Sequence, residues 1–264
     1  MSVGFAPSAG IATAAYAEYV EVAPSVRLYV REWGEGAPVV FIHGWPISDE
    51  RYDEELATLA QAGYRVVAIT LRGYGKSDKP AGAYSFDVFA DDIRAVLERR
   101  GLTGVTLGGL SLGGAIAIHY MARHHGAHVA KLALFGAAAP AWAQRPGYPH
   151  GITRRRATQI AAFVATSATV GAWLDRQGIR ASRRALAHSV LALRDSDLRP
   201  ALATIEVPTA IFHARADRIC PFAFAEEMAK GIRGATIVPF EHSSHGLFPE
   251  EPDKFHRALI DFIG

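Results

Sequence analysis

The segment that most constrains the fold of this chain is residues 104–126, where a serine stands between glycines in GGLSLGG. Residues 105–110 form a short, unbroken and largely apolar run, which is typical of a buried parallel strand. Residues 112–125 are long enough for a helix, and Gly126 can end it. Ser111 is therefore predicted to lie at a sharp turn between a strand and a helix.

The glycines around this serine indicate a site with chemistry. Gly109 and Gly113 flank Ser111 as G-x-S-x-G, because larger side chains would collide at so sharp a turn. The turn would hold the hydroxyl at the helix N-terminus, where free N–H groups and the helix dipole favour a developing negative charge. Ser111 is therefore a candidate nucleophile. The simpler alternative is a glycine-rich turn with a solvated serine.

Strand-like and helix-like segments alternate along most of the chain, and the first two strands, 19–22 and 26–33, form an antiparallel hairpin. The later strands are predicted at 38–43, 65–70, 105–110, 131–135, 207–213 and 235–240. Helices are predicted at 49–62, 86–100, 112–125, 222–232 and 250–263, with Ser48 and Ser85 as N-caps of the first two. This alternation predicts an α/β fold with a mostly parallel sheet, helices on both faces, and binding at the carboxyl ends of the strands.

The alternation is interrupted in residues 140–200, which contain helical segments at 153–167 and 181–193 and no predicted strand. We interpret this part as a small helical cap inserted into a core formed by residues 1–139 and 201–264. The insertion carries ten arginines and three aspartates, whereas the whole chain has a net charge of +2. Arg154 and Arg155 could place a positive field over the site, although a solvated helix surface explains the same charge.

A serine needs a base to become a good nucleophile, and the base needs a group that fixes its tautomer. His245 follows the last predicted strand and precedes Gly246, which eases a tight turn. His242 is a rival closer to the strand end. Asp217, after the strand at 207–213, is the available carboxylate. The chain order is then serine, aspartate, histidine.

Together these motifs resemble the α/β-hydrolase fold, and within it the cofactor-free haloperoxidase, arylesterase and perhydrolase group. The resemblance is carried by FIHGWP at 41–46, RGYGKSD at 72–78, GLSLGG at 109–114 and HGLF at 245–248. It implies a triad of Ser111, Asp217 and His245. It also implies an oxyanion hole formed by the backbone N–H groups of Trp45 and Leu112. The sequence departs from the group at Leu110, at Thr70 and Leu71, and at Ala214, where the group has histidine, an acidic residue and glycine.

We expect a serine hydrolase that cleaves a small-molecule carboxylic ester or lactone through an acyl-enzyme on Ser111. Trp142, Trp173 and Leu247 are candidate substrate contacts. The resemblance also implies perhydrolase or haloperoxidase side activity, since a proline, here Pro46, follows the oxyanion tryptophan in perhydrolases of the group. Two alternatives stay open: a thioesterase or carboxylesterase for an anionic or carrier-linked substrate, and a non-catalytic small-molecule sensor.

Other features of the sequence bear on cofactors, metals, location and partners. No dinucleotide-binding glycine loop is present, and Gly126 interrupts the helical spacing of His124, His125 and His128, so we expect neither cofactor nor metal. The single cysteine, Cys220, is expected to pack in the core. Residues 1–16 lack the basic and apolar regions of a signal peptide, and no stretch is long enough to span a membrane. A cytoplasmic protein without nucleic-acid partners is expected, and its oligomeric state is open.

Overall fold

A computed structural model of the chain describes Ala14 and residues 16–264. The prediction that residues 1–16 are not a signal peptide therefore falls almost entirely outside the described residues. Within them, the strands join one eight-stranded sheet in the order β1-β2-β4-β3-β5-β6-β7-β8. The strands are β1 (Tyr16–Ala23), β2 (Val26–Trp33), β3 (Ala37–Ile42), β4 (Tyr64–Ile69), β5 (Val105–Leu110), β6 (Val129–Phe135), β7 (Thr209–Ala214) and β8 (Thr236–Phe240).

The sheet is mostly parallel, as the alternation of strands and helices predicts. Strands β3 to β8 pair in parallel, whereas β1 pairs with β2, and β2 with β4, in antiparallel fashion. The strand order reverses at β3, which lies between β4 and β5. Such a reversal opens a crevice at the carboxyl ends of the strands. Loops that follow β3 and β5 therefore meet at one edge of the sheet.

Helices cover both faces of this sheet, and each face has its own apolar core. Residues of α1 and α10 pack on one face, and residues of α2, α3 and α8 pack on the other. The helices of the core are α1 (Asp53–Gln61), α2 (Phe86–Arg99), α3 (Leu112–Arg123), α8 (Ala223–Gly231), α9 (Leu247–Glu250) and α10 (Pro252–Ile263). Burial on both faces explains why the central strands are continuously apolar.

The first core helix differs from its prediction at the N-terminus. The segment predicted at 49–62 begins as a 3₁₀ turn, Asp49–Tyr52, before α1, and the Ser48 side chain makes no capping hydrogen bond. That prediction was wrong because the Asp49 carboxylate turns inward to Arg31, with 2.6 Å between Oδ2 and Nε. By contrast, the Ser85 hydroxyl accepts a hydrogen bond from the Val88 amide and caps α2 as predicted.

The insertion between β6 and β7 is helical. It contains α4 (Arg154–Thr166), α5 (Ala168–Arg176), α6 (Arg183–Asp195) and α7 (Arg199–Leu202), of which α5 and α7 were not predicted. Helix α6 docks on the loops that follow β3 and β4. The Tyr74 hydroxyl donates to Ser189 Oγ at 2.8 Å, and Trp45 Nε1 donates to the Leu186 carbonyl at 3.1 Å. The inserted helices therefore lie over the carboxyl end of the sheet.

Among the described residues, no single helix has both the length and the apolar character needed to cross a bilayer. Helix α4 and residues 169–176 meet that test only when taken together, and an 83° bend separates them.

Candidate active site

Ser111 lies at the turn between β5 and α3 in a strained backbone conformation, with φ 51° and ψ −111°. A positive φ is rare for a residue with a side chain and is found where the surrounding structure enforces it. The flanking glycines explain the enforcement. A Cβ atom at Gly109 would collide with the Gly113 carbonyl, and one at Gly113 would collide with the Ile42 carbonyl. The close approach of strand and helix therefore requires glycine at both positions.

The end of β6 holds this turn in place through the backbone. The Ser111 amide donates to the Phe135 carbonyl at 2.9 Å, and the Ser111 carbonyl accepts from the Ala138 amide at 2.9 Å. Ser111 is only 8% exposed, although it stands at the edge of the sheet.

Asp217 and His245 lie together on the loops after β7 and β8. Asp217 Oδ2 is 2.7 Å from His245 Nδ1, and Asp217 Oδ1 accepts from the amides of Ile219 and Cys220 at 2.8 Å each. An ionised carboxylate accepts hydrogen bonds only, so His245 Nδ1 carries the proton and Nε2 is left as an acceptor. This tautomer is the one a general base needs.

The rival histidine lies outside this arrangement. His242 is exposed, and its backbone amide donates to the Glu251 carboxylate at 3.1 Å. His245, in contrast, lines the same cavity as Ser111. The geometry therefore favours His245 over His242 as the partner of Asp217, and it places His245 on the cavity of Ser111.

The loop after β3 approaches the serine closely. A Cβ atom at Gly44 would lie 3.2 Å from the Ser111 Cβ, in the tight range, so the backbone of this loop runs directly beside the nucleophile. Neither the Trp45 amide nor the Leu112 amide donates a backbone hydrogen bond within residues 16–264. Trp45 directly follows Gly44 and Leu112 directly follows Ser111, so these two amides stay the candidates for the oxyanion hole.

His43 is a residue of this site that the sequence reasoning passed over. It is fully buried, its Nε2 accepts from the Leu71 amide at 3.0 Å, and its Nδ1 lies 2.9 Å from the Gly44 carbonyl. Because the amide can only donate, Nε2 has no proton and Nδ1 donates to Gly44. Burial lowers the pKa of His43, which keeps this tautomer neutral. The signal in the sequence that could have identified His43 is its position directly before Gly44 in the His-Gly pair.

Two cavities meet at Trp45. The nucleophile cavity, of about 470 Å³, is lined on one side by the site itself and on the other by residues before and within α1; its lining includes Ser111, His245, Leu247, Ile47, Arg51 and Glu55. The cap groove, of about 460 Å³, lies between Pro46 and the inserted helices and is mainly apolar; its lining includes Ile160, Phe163, Val164, Trp173, Leu174 and Arg176.

These cavities separate the candidate substrate contacts. Leu247 lines the nucleophile cavity, and Trp173 lines the cap groove with 42% of its surface exposed. Trp142 lines neither of the two and packs half-buried against the apolar core. Leu247 and Trp173 therefore remain candidate substrate contacts, whereas neither cavity supports Trp142 as one.

Most inserted arginines with described contacts have partners that line neither cavity. Arg154 pairs with Asp195 at 2.7 Å, and Arg199 pairs with Asp197 at 2.6 Å. Arg145 donates to the backbone carbonyls of residues 194 and 196. Arg51, outside the insertion, and Arg176 are the arginines that line the two cavities. Any selection of anionic substrates is therefore expected from these two.

The departure at Thr70 has a structural explanation. Where that group has an acidic residue, the Thr70 hydroxyl donates to the buried carboxylate of Asp49, which comes from a different loop.

His213, at the end of β7, is buried with Nε2 2.7 Å from the Cys220 carbonyl, and burial lowers the pKa of His213. Cys220 is itself fully buried in the core, as expected, and burial raises the pKa of its thiol well above the ordinary value.

Comparison with known proteins agrees with this fold. Residues 39–258 match the model of a family described as the alpha/beta hydrolase family. The chain is 42% identical to an AB hydrolase superfamily protein of Bacillus subtilis, over 92% of this chain and 98% of that protein. It is 30% identical to a non-heme haloperoxidase of Rhodococcus erythropolis, over 93% and 98% of the two chains.

Among solved structures, an esterase from Exiguobacterium antarcticum superposes with a TM-score of 0.86 at 36% identity, covering 93% of this chain and 98% of the esterase. The predicted fold and the resemblance to the haloperoxidase and esterase group are thereby confirmed. With the family model matched over most of the chain, and with the sheet order and the serine turn described above, the chain belongs to the α/β hydrolase family.

Proposed function

We propose that the protein is a serine hydrolase that cleaves small-molecule carboxylic esters or lactones through an acyl-enzyme on Ser111. The observation that carries this proposal is the 2.7 Å contact between Asp217 Oδ2 and His245 Nδ1, in a loop that borders the same cavity as Ser111. The similarity to an esterase of known structure supports the same class of reaction.

The reaction follows from the roles of the three side chains. His245 Nε2 takes the proton of the Ser111 hydroxyl as its oxygen attacks the ester carbonyl, and Asp217 stabilises the imidazolium that forms. The Trp45 and Leu112 amides hold the negative oxygen of the tetrahedral intermediate. The same imidazolium then protonates the departing alcohol. Water, activated by the neutral His245, cleaves the acyl-enzyme and restores the serine.

The nucleophile cavity limits the substrate to a small molecule. Its volume of about 470 Å³ is in the usual range for small-molecule sites, and its lining is mostly apolar. Arg51 and Glu55 are charged residues in that lining. A compact apolar acyl or alcohol group fits this lining, and a carboxylate on the substrate could reach Arg51.

An organophosphonate probe tests the proposal directly. Such a probe should form a covalent bond to Ser111, identified by mass spectrometry of the digested protein, and Ser111→Ala should abolish both labelling and turnover of a panel of aryl, alkyl and lactone esters. Labelling at another residue would refute Ser111 as nucleophile. A folded wild-type protein that binds esters and cleaves none would instead support the sensor alternative.

Peroxyacid formation is a second candidate activity. Pro46 follows Trp45 directly, lines the cap groove and fixes the backbone dihedral beside the oxyanion hole. The similarity to a non-heme haloperoxidase supports the same idea. Hydrogen peroxide would then attack the acetyl-enzyme in place of water and release peracetic acid.

A further inference from the structure

Cys220 belongs to the candidate active site as well as to the core. A carboxylate oxygen of Asp217, the sulfur of Cys220 and a ring nitrogen of His245 all lie within 4.8 Å of one another. The proposed reaction uses Asp217 and His245 but leaves this sulfur without a task.

Oxygen, nitrogen and sulfur donors of this kind are the ligands of a thiophilic divalent cation. Zinc binds carboxylate oxygen and imidazole nitrogen at about 2.0–2.2 Å and thiolate sulfur at about 2.3 Å, so two ligands of one tetrahedral ion lie roughly 3.3 to 3.6 Å apart. Donors at the 4.8 Å limit must approach one another by roughly 1.2 to 1.5 Å to reach that spacing. Magnesium and calcium prefer oxygen ligands alone and would not use the sulfur.

From this cluster we infer that Asp217, Cys220 and His245 form a site for Zn²⁺ or a similar thiophilic cation, and that its occupation stops the hydrolase. Binding converts the Cys220 thiol and the cation into a metal thiolate and one released proton. The thiolate and the Asp217 carboxylate together balance the two positive charges of the ion. That balance suits a site whose acid and thiol are both buried.

The inhibition follows from the loss of the base, and this part of the inference rests on the proposed function. If the cation takes His245 Nδ1, the hydrogen bond to Asp217 is lost and the ring no longer has a fixed tautomer. If it takes Nε2, the atom that must accept the Ser111 proton is blocked. Either mode removes general-base catalysis, whereas the serine and the oxyanion amides remain in place.

Cobalt and zinc titrations of the metal-free full chain test the inference. Co²⁺ should produce a thiolate-to-cobalt charge-transfer band that saturates at one ion per chain, and Zn²⁺ should displace the cobalt and abolish the band. In parallel, Zn²⁺ should inhibit the hydrolysis of p-nitrophenyl acetate, with the inhibition expressed relative to the metal-free activity of each variant.

Cys220→Ser should lose the charge-transfer band and raise the half-inhibitory Zn²⁺ concentration at least about tenfold, because a hydroxyl is a poor zinc ligand. His242→Ala, which removes an exposed histidine three residues from His245, should behave like the wild type in both titrations.

Absence of the band in the wild-type protein would overturn the inference, whether or not Cys220→Ser folds. Equal inhibition of wild type and Cys220→Ser would overturn it as well. A saturating band without inhibition would refute the switch. If the protein cleaves no ester, the cobalt spectrum still decides whether the metal site exists, so failure of the metal site and failure of the proposed function remain distinct.

Discussion

The buried imidazole of His43 donates a hydrogen bond from Nδ1 to the carbonyl of Gly44, at 2.9 Å. That carbonyl belongs to the peptide unit whose N–H group is the Trp45 amide, one of the two proposed oxyanion donors. A hydrogen bond to one end of a peptide unit fixes the direction of the other end, because the unit is planar. We therefore expect His43 to be a positioning residue of the proposed oxyanion hole.

His43→Ala should lower kcat for ester hydrolysis by about 10- to 100-fold while KM changes little, because a misdirected donor weakens transition-state binding more than substrate binding. His43→Asn, whose side-chain N–H group can reach the Gly44 carbonyl, should recover part of the loss. A matched control is His256→Gln, a substitution of a half-buried histidine on α10. Equal changes in KM and kcat, or no recovery by asparagine, would make His43 a merely structural residue.

The pairing of Asp217 with His245 separates the two candidate bases. His245→Ala should reduce kcat by about 10³-fold or more, whereas His242→Ala should reduce it less than twofold, since His242 is exposed and does not line the cavity that holds Ser111. Steady-state kinetics on a p-nitrophenyl ester, with circular dichroism to confirm folding, measures both. The reverse ranking would reassign the base to His242.

Anionic substrates should be selected by Arg51 and Arg176, which line the cavities. An ester with a remote carboxylate should show a kcat/KM several-fold above that of its neutral analogue at low salt, and the ratio should fall as salt is added. Arg51→Gln or Arg176→Gln should reduce the ratio.

The matched control for this selection is Arg154→Gln, since the Arg154 guanidinium pairs with Asp195 away from both cavities. It should leave the ratio unchanged. If the two esters react alike in the wild type at low salt, the anionic-substrate and carrier-linked alternatives lose their support.

Pro46 should matter more for peroxide than for water. Pro46→Leu should lower the formation of peracetic acid from acetate and hydrogen peroxide several-fold, while hydrolysis of p-nitrophenyl acetate stays within about twofold of wild type. Peracid is measured by its oxidation of a halide ion in the presence of an indicator dye that the oxidised halogen modifies. A parallel fall of both activities would identify Pro46 as a structural residue of the turn only.

Acid should destabilise the fold through buried histidines. Burial lowers the pKa values of His43, His213 and His256 below that of an unfolded histidine, about 6.5. The unfolded chain therefore binds protons that the folded chain does not. The stabilisation is complete above about pH 6.5 and declines as the pH falls towards the folded pKa values.

Urea unfolding at pH 7.5 and pH 5.5 measures this loss of free energy. His256→Phe should make the fall in the free energy of unfolding smaller, by at most about 1.4 kcal/mol per pH unit. The reason is that the unfolded variant no longer binds a proton at position 256. His242→Phe, at an exposed position, serves as the control and should show the wild-type difference. If His256→Phe shows the same difference in unfolding free energy between the two pH values as the wild type, His256 does not contribute to the acid destabilisation.

Local sequence was sufficient for the parts of the fold that local sterics decide. Gly109 is required by contact with the backbone of Gly113, four residues further along, so the turn at Ser111 could be predicted before any partner was known. Ser85 caps its helix for the same local reason. The contact that requires Gly113, with the Ile42 carbonyl on β3, joins distant parts of the chain. The alternation of strands and helices predicted the parallel sheet, because each apolar strand needs a helix on its face.

Local patterns failed where a distant residue competes. Ser48 follows the rule for an N-cap, yet the neighbouring Asp49 is drawn inward by Arg31 on β2, and the segment starts as a 3₁₀ turn. Pro252 begins α10, so the helix predicted at 250–263 is preceded by the separate short α9. The first result depends on a distant residue, whereas the second depends on Pro252 within the segment, a local signal for a helix start.

The candidate site shows the same division. The sequence by itself determined the residue types and their order, with Ser111 at the turn, Asp217 after β7 and His245 after β8. Only the tertiary structure decided that His245 rather than His242 reaches Asp217, that the Cys220 sulfur stands beside both, and that Arg154 turns to Asp195. The physical reason is that these contacts join loops far apart in the chain, and their distances depend on how the strands and inserted helices pack, which no local pattern records.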